Sequence, residues 1–576
     1  MFSKLLIANR GEIALRVMRT AKEMGFATVA VYSEADRDAL HVQFADEAYL
    51  LGPASPAASY LNVKRVLEIA RHAGAQAIHP GYGFLAENAA FARAIIESGL
   101  VWVGPHPDAI EAMGDKVRAR QTMAAAGVPI VPGGTEAIKD VTAAHDAAKC
   151  YGLPLALKAS GGGGGKGLKI ARTSDEIASA FTTAQREAAA YFQNDTIYAE
   201  RYLENPKHIE LQILADKHGT VLHVGERDCS LQRRHQKLWE ETPPSIPEKT
   251  RAAMRAAGVK AAQAIAYDSV GTIECLVSGD NFYFLEMNTR IQVEHTVSEM
   301  VTGLDLIREQ LRVAAGEPLG YGQEAIVFCG HSIEARVNAE DPAADFRPAP
   351  GTITKYREPA SIGVRVDSAA YDGYTISPDY DSLIAKLIVW APDRDQARAR
   401  LRRAIDEFTI EGVATTLGIL RALIDETVVA NASYGTATLE EFARSFHDDG
   451  AQTPTVSSAQ PHAPEPIRVE INDKMYRVRI LEGPFSGTTK KAAPRMASSR
   501  TVASSDANDV ISPMHGIVIE LGVKENDAVS AGQTVAVIEA MKMMNEVRAH
   551  KSGTVSKVHA SLGATVEAQS PLVTLA

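Results

Sequence analysis

Short apolar runs alternate with amphipathic segments over about the first fifth of the chain. The runs at residues 4–8, 27–32 and 77–79 predict buried strands, and the apolar spacing of residues 11–24 and 63–73 predicts helices. Strands that alternate with helices form open, mostly parallel sheets. The pattern therefore predicts an α/β domain at the N-terminus.

The second predicted strand is followed by Glu34 and Asp36, an arrangement also found in dinucleotide-binding folds. However, the first strand-to-helix turn, residues 9–14, lacks the GxGxxG pattern that lets a backbone approach a pyrophosphate. We therefore reject NAD binding. Residues 81–86 match GxGxxA, but a lone match is a weak signal, and we interpret it as a strand-to-helix turn.

A run of five glycines, residues 161–165, lies between short apolar strands predicted at 155–159 and 168–171. Packing does not favour such a run, because glycine loses more backbone freedom on ordering than any other residue. It is not a Walker A loop, since Ser160 and Gly167 stand where that motif needs Gly and Ser or Thr. We interpret it as a mobile loop that covers phosphates. The alternative is a flexible linker.

Polar and apolar positions alternate along residues 282–294. In an extended chain, one face would carry Glu286, Asn288, Arg290, Gln292 and Glu294. The preceding predicted strand, 272–276, adds Glu274. Carboxylate and amide oxygens from these strands suit Mg²⁺ shared with ATP phosphates. The alternative is an ordinary solvated strand face.

The C-terminal segment contains an internal repeat at a spacing of 37 residues. The repeated pairs are Gly516 and Gly553, Val518 and Val555, Val529 and Val566, and Val535 and Leu572. Alternating strands with Gly or Asn-Asp turns predict two four-strand halves packed face to face. Lys542 falls between the halves, so we expect it at the exposed tip of the joining hairpin and chemically modified. The alternative is a methionine-rich helix face with core residues Met541, Met543 and Met544.

The composition, with 576 residues of which 45% are hydrophobic and 23% charged, leaves room for several domains. A net charge of −11 argues against a nucleic-acid groove and makes polyphosphate the preferred anion. No apolar run reaches the ~20 residues of a membrane helix, and residues 5–8 are too few for a signal peptide. Four dispersed cysteines fit a reducing compartment. We expect a cytoplasmic protein without a membrane or nucleic-acid partner.

Two segments have compositions that cannot bury a core, residues 447–467 and 484–508. Between them, residues 468–480 alternate around an Asn-Asp turn and predict a short hairpin. A flexible segment of ~25 residues extends on the order of 80 Å, which suits a carrier that moves between two sites.

The sequence Ala540-Met541-Lys542-Met543 resembles the biotin attachment site of biotinyl carrier domains, and resembles the related lipoyl domains less. Two neighbours depart from the family, since Met544 and His515 stand where it often has Glu and Pro. The resemblance implies covalent biotin on Lys542, attached by a biotin protein ligase.

The central segments resemble a second family. The glycine run, with Lys158 before it and residues 198–204 after it, resembles the ATP-grasp fold, which binds ATP between two α+β lobes. Together with residues 227–237, 282–295 and 334–336, these segments closely resemble biotin carboxylase, over residues 1–445 with the carrier following at 509–576. Thr296 departs from the family, which usually has Pro there.

This resemblance implies a role for each candidate residue. It makes Glu294 the base for bicarbonate, and gives Arg290 and Arg336 the role of stabilising the biotin enolate. Bicarbonate would be held by Arg290, Gln292, Val293 and Lys237. Two Mg²⁺ or Mn²⁺ ions would be bound by Glu274, Glu286 and Asn288. ATP would be bound by Lys116, Lys158, Gly162, Gly163, Gly164, Gly165, Lys166, Gly167, Glu200, Leu203, His208, Gln232 and His235.

The predicted architecture combines α/β and α+β domains with an all-β carrier. In chain order we expect an open parallel α/β domain (1–115), an ATP-grasp domain (116–330) with a mobile lid at about 131–203, a biotin carboxylase C-terminal domain (331–445), a linker (446–508) with a hairpin at about 468–481, and a biotinyl sandwich (509–576).

No segment is left for a second catalytic domain, so we expect the carboxyltransferase of an acyl-CoA carboxylase to be a separate chain. Its substrate would be acetyl-, propionyl- or a longer acyl-CoA, and the assembly a homo-oligomer within a larger hetero-oligomer. Two alternatives stay open: an ATP-grasp ligase with a lipoylated domain, and a biotin carrier with an inactive ATP lobe.

Overall fold

The computed structural model describes residues 2–446 apart from 135, 160–166, 193–194 and 235. It also describes residues 467–471 and 474–478, and residues 508–576 apart from 514–515, 541–542 and 567–569. The chain divides into two compact units, Met1–Asp448 and Asp449–Ala576. The first unit contains the segments predicted to bind ATP, and the second contains the internal repeat.

The first unit begins with a parallel sheet of five strands in the order β3-β2-β1-β4-β5. Its strands are β1 Lys4–Ile7, β2 Ala27–Ser33, β3 Glu47–Gly52, β4 Ala77–His79 and β5 Val101–Trp102. Its helices are α1 Gly11–Glu23, α2 Leu40–Phe44, α3 Val63–His72, α4 Ala89–Glu97 and α5 Pro107–Gly114. Along β1, Leu5 and Ile7 enter one core and Leu6 enters another. Helices cover both faces, as expected for parallel strands that read as continuous apolar runs, and the predicted α/β sheet is confirmed.

The loops that follow β1 and β4 meet at the point where the strand order reverses. Asn9 Nδ2 donates hydrogen bonds of 2.7 Å to the carbonyl oxygens of Pro80 and Tyr82. Gly81 and Gly83 have φ angles of 64° and 68°, and a Cβ on Gly81 would lie 2.8 Å from Asn9 Nδ2. The glycines of residues 81–86 therefore serve the turn after β4, as predicted.

Asp36, the acidic residue after β2, is occupied by protein groups. Arg10 donates to both of its carboxylate oxygens at 2.6 Å, and the Tyr60 hydroxyl donates to one of them at 2.6 Å. Its side chain is only 2% exposed. This carboxylate is not available to a ribose hydroxyl, which agrees with the rejection of NAD binding.

A small antiparallel sheet in the order β7-β6-β8 follows helix α6. Its elements are α6 Lys116–Ala125, α7 Val141–Tyr151, β6 Leu155–Ala159, β7 Leu168–Ala171, α8 Ile177–Phe192 and β8 Ile197–Arg201. Side chains of α7 and α8 share one core with β6 and β8. The two strands predicted beside the glycine run are β6 and β7, whereas residues 161–165 lie outside the described part of the chain.

Five further strands and three helices complete the middle of the first unit: β9 Lys207–Ala215, β10 Val221–Arg233, β11 Gln236–Thr242, α9 Glu248–Ala264, β12 Ser269–Ser278, β13 Asn281–Asn288, α10 His295–Thr302 and α11 Leu306–Ala314. The unit ends with β14 His331–Asn338, β15 Glu340–Asp341, β16 Arg347–Pro348, β17 Gly351–Thr352, β18 Lys355–Arg357, β19 Val364–Ser368, β20 Thr375–Ile376, β21 Leu383–Ala391, α12 Arg394–Glu407, β22 Thr409–Glu411, α13 Leu417–Leu423, α14 Thr427–Ala430 and α15 Thr438–Ser445.

Eight of these strands form one antiparallel sheet in the order β13-β12-β9-β10-β11-β14-β21-β19. Strands β11 and β14 pair across the predicted domain boundary at residues 330 and 331. Residues from both sides of that boundary therefore lie on a continuous surface, which brings β14 to the same site as β12 and β13.

The second unit contains a two-stranded hairpin and two four-stranded sheets. The hairpin strands are β23 Ile467–Ile471 and β24 Lys474–Val478. The remaining strands are β25 Asp509–Ile511, β26 Gly516–Leu521, β27 Ala528–Val529, β28 Thr534–Ala540, β29 Met543–Arg548, β30 Gly553–Val558, β31 Thr565–Val566 and β32 Pro571–Leu575. The sheets have the orders β25-β32-β30-β27 and β29-β28-β26-β31.

The 37-residue repeat in the sequence corresponds to a symmetry between the two four-stranded sheets. Shifting the first sheet by one repeat converts its strand order into that of the second, and the pairs Val510↔Val573 and Ile511↔Pro571 become Val547↔Ala536 and Arg548↔Thr534. Each sheet takes two strands from each half, so the expectation that each half forms its own sheet was wrong. The reason is local: β28 and β29 belong to different halves, but a two-residue connection makes them pair as a hairpin.

Candidate active site

A cavity of about 740 Å³ lies between the small sheet of β6–β8 and the large sheet. Every described candidate residue of the carboxylase segment except Gly167 lines it: Lys116, Lys158, Glu200, Leu203, His208, Gln232, Lys237, Glu274, Glu286, Asn288, Arg290, Gln292, Val293, Glu294 and Arg336. Gly162, Gly163, Gly164, Gly165, Lys166 and His235 lie outside the described residues. The structure thus brings residues from separate parts of the chain to one site.

Three glutamates form a row across neighbouring strands of the large sheet, and two of them, Glu274 and Glu286, line this cavity. Glu286 on β13 lies directly opposite Glu274 on β12, and Glu274 lies directly opposite Glu210 on β9. Opposed residues of neighbouring strands project to the same face, where like charges repel. Such a row requires cations, and the protein provides them from other elements.

Lys237 on β11 supplies one of these cations. Its ammonium group is bound by three carboxylates, those of Glu210, Glu274 at 3.0 Å and Glu294 at 2.8 Å. Burial alone would lower the pKa of Lys237, but the three carboxylates raise it well above its usual value. Lys237 is therefore a fixed positive charge that joins the glutamate row to Glu294.

Glu294 is a buried carboxylate between two cations. Its Oε1 lies 2.8 Å from Lys237 Nζ and its Oε2 lies 2.9 Å from Arg336 Nη2. Burial would raise the pKa of Glu294, but Lys237, Arg336 and Arg227 outweigh that effect and hold it well below the usual range. The side chain is therefore ionised near neutral pH and able to accept a proton.

The loop that carries Glu294 corrects one part of the sequence interpretation. Strand β13 ends at Asn288, and Glu294 directly precedes α10, so strand alternation does not continue to residue 294. The polar residues reach the cavity because the chain turns. Arg290 is fixed there by Asn288 Oδ1 at 2.6 Å and by Glu87 Oε2 at 3.0 Å, and Gln292 donates to Glu274 Oε1 at 2.8 Å.

Glu240 on β11 holds the other side of Arg336. Its Oε1 accepts a 2.6 Å hydrogen bond from Arg336 Nε, while Nη2 of the same guanidinium reaches Glu294. Burial raises the pKa of Glu240 against the opposing effect of Arg336. Glu240 therefore fixes the Nε side of the Arg336 guanidinium group, and Nη2 is directed to Glu294.

Two further basic residues of the cavity, Lys116 and Lys158, are those that the sequence predicts to bind ATP. Lys116, the first residue of α6, contacts Glu286 Oε2 at 2.6 Å. Lys158 on β6 forms an ion pair with Glu200 on β8, which also accepts a 2.6 Å hydrogen bond from Arg120. Glu200 is 3% exposed, so it orients these two cations.

His208 contacts the glutamate row from β9. Its Nε2 lies 3.0 Å from Glu274 Oε2, and Gln232 lies 3.2 Å from its Nδ1. Burial would lower the pKa of His208, but Glu274 reverses that effect and raises it. Leu203, just beyond the end of β8, adds an apolar part to the lining.

The opposed carboxylates of Glu274 and Glu286, with the amide of Asn288, fit a divalent metal ion. All three line the cavity, and they offer the hard oxygen ligands that Mg²⁺ prefers. In this structure Lys116 and Lys237 compensate their charge. A metal that arrives with a polyphosphate would add positive charge beside carboxylates that already require cations.

In the second unit, the strands on either side of Lys542 are well defined. Strands β28 and β29 pair along their length, up to Ala540 opposite Met543. Met541 and Lys542 themselves lie outside the described residues. The prediction that Lys542 occupies the tip of this hairpin therefore stays a prediction.

Sequence reasoning missed four residues of this site: Glu210, Arg227, Glu240 and Glu87. A local signal existed for Glu210, because His208, Glu210 and Gln212 alternate with Ile209, Leu211 and Ile213 in an otherwise apolar strand. Glu87 contacts Arg290 across 203 positions of the chain, so no local pattern could identify it.

The fold is that of an ATP-grasp ligase, with a cavity between two lobes that is lined by carboxylates and basic side chains. Four family profiles match the chain: "Biotin carboxylase, N-terminal domain" over residues 1–110, "Carbamoyl-phosphate synthase L chain, ATP binding domain" over 115–321, "Biotin carboxylase C-terminal domain" over 334–441 and "Biotin-requiring enzyme" over 508–575.

Similar proteins include the biotin-dependent acyl-coenzyme A carboxylase alpha3 subunit of Mycobacterium leprae, 41% identical over 98% of this chain and 97% of that protein. Biotin carboxylase 1 of Bacillus subtilis is 51% identical over 77% of this chain and 99% of its own. The biotin carboxylase domain of 2-oxoglutarate carboxylase from Hydrogenobacter thermophilus, solved with MgADP, ADP and bicarbonate, matches with a TM-score of 0.75 and 49% identity over 78% of this chain and 99% of that one.

The chain belongs to the biotin carboxylase family and carries a biotinyl carrier domain. The matched models describe an ATP-binding domain and a biotin-requiring enzyme, so biotin is its cofactor and ATP its nucleotide. Among the helices that the structure describes, none is both long and apolar enough to cross a membrane.

Proposed function

We propose that this chain is the biotin carboxylase and carrier subunit of an acyl-CoA carboxylase whose carboxyltransferase is a separate chain. The observation that carries the carboxylase part is an ionised Glu294 between Lys237 and Arg336, in a cavity that also contains the opposed pair Glu274 and Glu286. Resemblance to a protein named an alpha subunit, over 98% of this chain, supports the acyl-CoA part and the separate partner.

ATP binding uses the basic groups on one side of the cavity. Lys116 and Lys158 hold phosphate oxygens, and Glu200 keeps Lys158 in position. Mg²⁺ would be held by Glu274, Glu286 and Asn288, where it neutralises charge on the phosphates. Leu203, His208, Gln232, His235 and the glycine segment, Gly162 to Gly167, complete the nucleotide site in this proposal.

Bicarbonate enters between Lys237 and Arg336. An anion there competes with Glu294 for both cations, and a carboxylate that loses such partners becomes more basic. Glu294 then accepts the bicarbonate proton, a bicarbonate oxygen takes the γ-phosphoryl group of ATP, and carboxyphosphate and ADP are formed. Gln292 and Val293 position the anion beside the base. Binding of bicarbonate thus makes Glu294 a stronger base, as removal of the bicarbonate proton requires.

Biotin on Lys542 would supply the ureido nitrogen that accepts CO₂ released from carboxyphosphate, and the phosphate released with it would take the ureido proton. Arg290 and Arg336 provide fixed positive charge on the side of the cavity that holds Glu294. Their anchors, Glu87 and Glu240, keep the two guanidinium groups in place before the reaction. Preorganised charge of this kind stabilises developing negative charge without reorganisation.

The proposal includes a biotin protein ligase as modifying partner, a homo-oligomer within a larger hetero-oligomer, and a cytoplasmic location. The location is supported by the cysteines, since all four are free thiols in the structure. A 2-oxo acid carboxylase is the second candidate, because the carboxylase unit is also similar to that of a 2-oxoglutarate carboxylase.

The test begins with the purified chain. We expect ATP cleavage to depend on bicarbonate and free biotin, and intact mass to show a biotin addition. Cleavage without bicarbonate dependence, or a lipoyl addition, would contradict the proposal. The complex isolated on streptavidin should then fix labelled bicarbonate onto an acyl-CoA from an acetyl to long-chain panel. Fixation onto a 2-oxo acid instead would favour the second candidate.

A further inference from the structure

Lys386 on β21 is a fully buried lysine that does not line the cavity. Its Nζ lies 3.1 Å from Glu12 Oε2, 3.7 Å from Asp367 Oδ2 and 3.1 Å from the carbonyl oxygen of Val293. A buried ammonium group is costly unless it is paired and hydrogen-bonded. Two of these contacts balance its charge, whereas the third is made to the backbone of the candidate bicarbonate loop.

The position of Lys386 relative to Arg336 explains this third contact. Lys386 lies directly opposite Arg336 on β14 and directly opposite Asp367 on β19. Opposed residues project to the same face of a sheet. Two cations from neighbouring strands therefore reach two consecutive residues of one loop, with Arg336 at the Glu294 carboxylate and Lys386 at the Val293 carbonyl.

The peptide that follows Val293 is planar, so fixing its carbonyl oxygen also fixes the backbone that leads into Glu294. The other end of the contact network is equally well defined. Glu12, at the start of α1, accepts a hydrogen bond from the Tyr82 hydroxyl in the turn after β4. Lys386 thereby connects the loop of Glu294 to a turn of the N-terminal sheet.

Charge compensation alone does not account for this arrangement. Asp367 already has two hydrogen bonds from Arg365, at 2.8 and 2.7 Å, and Glu12 has the Tyr82 hydroxyl. Neutralising these carboxylates requires a cation nearby, but it does not require a hydrogen bond to an uncharged carbonyl. The hydrogen bond from Lys386 to the Val293 carbonyl is explained if Lys386 positions the loop that carries Glu294.

We propose that Lys386 is a positioning residue for bicarbonate activation, which acts by fixing the Val293–Glu294 peptide. The proposal rests on the proposed role of Glu294 as the base. Lys386 does not line the cavity, so its effect is confined to the steps that use this loop. The nucleotide side of the cavity, with Lys116 and Lys158, has no contact with Lys386 among the described residues.

The test uses Lys386→Met, which removes the ammonium group and keeps the length of the side chain. The variant loses the charge-assisted hydrogen bond to the Val293 carbonyl, and Glu294 is then less well positioned. We therefore expect kcat/KM for bicarbonate to fall about 10- to 100-fold. The KM for ATP should stay within about twofold. The matched control is Arg394→Met, which removes a cation from a buried carboxylate, Glu241, away from the cavity. It should alter stability and leave both kinetic parameters unchanged.

The double variant Glu12→Gln/Lys386→Met separates positioning from charge balance. It leaves no unpaired charge at Glu12, and Asp367 keeps Arg365, so thermal stability should recover. The kcat/KM for bicarbonate should stay low, because the Val293 carbonyl still lacks its donor. Where the single variant does not fold, the double variant carries the kinetic measurement.

Three results would overturn the proposal: a near-normal kcat/KM for bicarbonate in Lys386→Met, its recovery in the double variant, or an equal loss for ATP and bicarbonate. Glu294→Gln distinguishes the two levels of the argument. If Glu294→Gln is inactive while Lys386→Met is normal, only the positioning role fails. If Glu294→Gln keeps its bicarbonate-dependent turnover, the role of Glu294 fails and the positioning role fails with it.

Discussion

Replacing Glu294 with glutamine removes basicity while changing little else in the cavity. Glutamine keeps the length of the side chain and one acceptor oxygen, but it places an amide NH₂ where the second carboxylate oxygen was. One of the two cations therefore loses a partner. Lys237 still has Glu210 and Glu274, and Arg336 still has Glu240. The cations stay paired, so the fold should tolerate the change.

These contacts set the expected magnitudes. Stability should fall by the worth of one charge-assisted hydrogen bond, about 2 kcal/mol, because no cation is left alone. The rate should fall much further, since removal of a general base costs ~10²- to 10⁴-fold, or about 3 to 5.5 kcal/mol of barrier. ATP affinity should stay close to wild type, because Lys116 and Lys158 make no contact with Glu294 among the described side chains.

The assay is a pair of measurements: the ATP dissociation constant by calorimetry, and phosphate release with and without bicarbonate. Glu241→Gln is the matched control, because Glu241 is another buried carboxylate held by two basic side chains, Arg394 and His331, and does not line the cavity. It should lose stability but keep its bicarbonate-dependent rate. A Glu294→Gln variant that loses ATP binding as well, or keeps near-normal release, would show that Glu294 is structural.

Three further predictions concern the carrier, the metal and acid stability. Lys542→Ala should abolish the streptavidin signal but keep ATP cleavage driven by free biotin, whereas Lys557→Ala, an exposed lysine of the same domain, should keep both; a retained signal in Lys542→Ala would contradict the assignment. Glu286→Gln should nearly stop turnover and Glu286→Asp should raise the Mg²⁺ requirement, and an unchanged Mg²⁺ titration would refute the ligand role. Burial would raise the pKa of Glu241, but His331 and Arg394 lower it to about 2. Its stabilisation is therefore present above the unfolded pKa of ~4.3 and is lost as pH falls towards 2. Glu241→Gln should cost about 3 kcal/mol at pH 7, and its deficit in thermal midpoint should shrink below pH 4; a deficit independent of pH would contradict this.

The strands of the N-terminal sheet could be predicted from sequence because they are buried on both faces. Leu5, Leu6 and Ile7 form a continuous apolar run, and the structure distributes them over two cores. The five polar residues after Phe284 were also recognised as one group. Their alternation, however, could not reveal that the strand ends at Asn288. The residues of the loop that follows also face the cavity at every second position, so the sequence pattern does not distinguish this loop from a continued strand.

Contacts between distant segments set the limit of sequence reasoning. Glu87, Glu240 and Lys386 each act on a loop or a guanidinium group far away in the chain. Their positions follow from strand register, which depends on the whole sheet. In the carrier, the repeat revealed the symmetry but not which strands share a sheet, because pairing across the halves is decided by the short connection between β28 and β29.

The repeat symmetry of the carrier has a mechanical consequence. The pairing that closes the domain, β25 with β32, is the symmetry mate of the pairing between β28 and β29. The point where the chain enters, at β25, therefore lies across the pseudo-twofold axis from the end of the hairpin at Ala540 and Met543. With a strand of seven residues, Thr534–Ala540, the domain spans roughly 20 Å between these ends. If Lys542 lies at the hairpin tip, as the sequence predicts, rotation of the sandwich about its entry strand moves this lysine along an arc with a radius of roughly 20 Å.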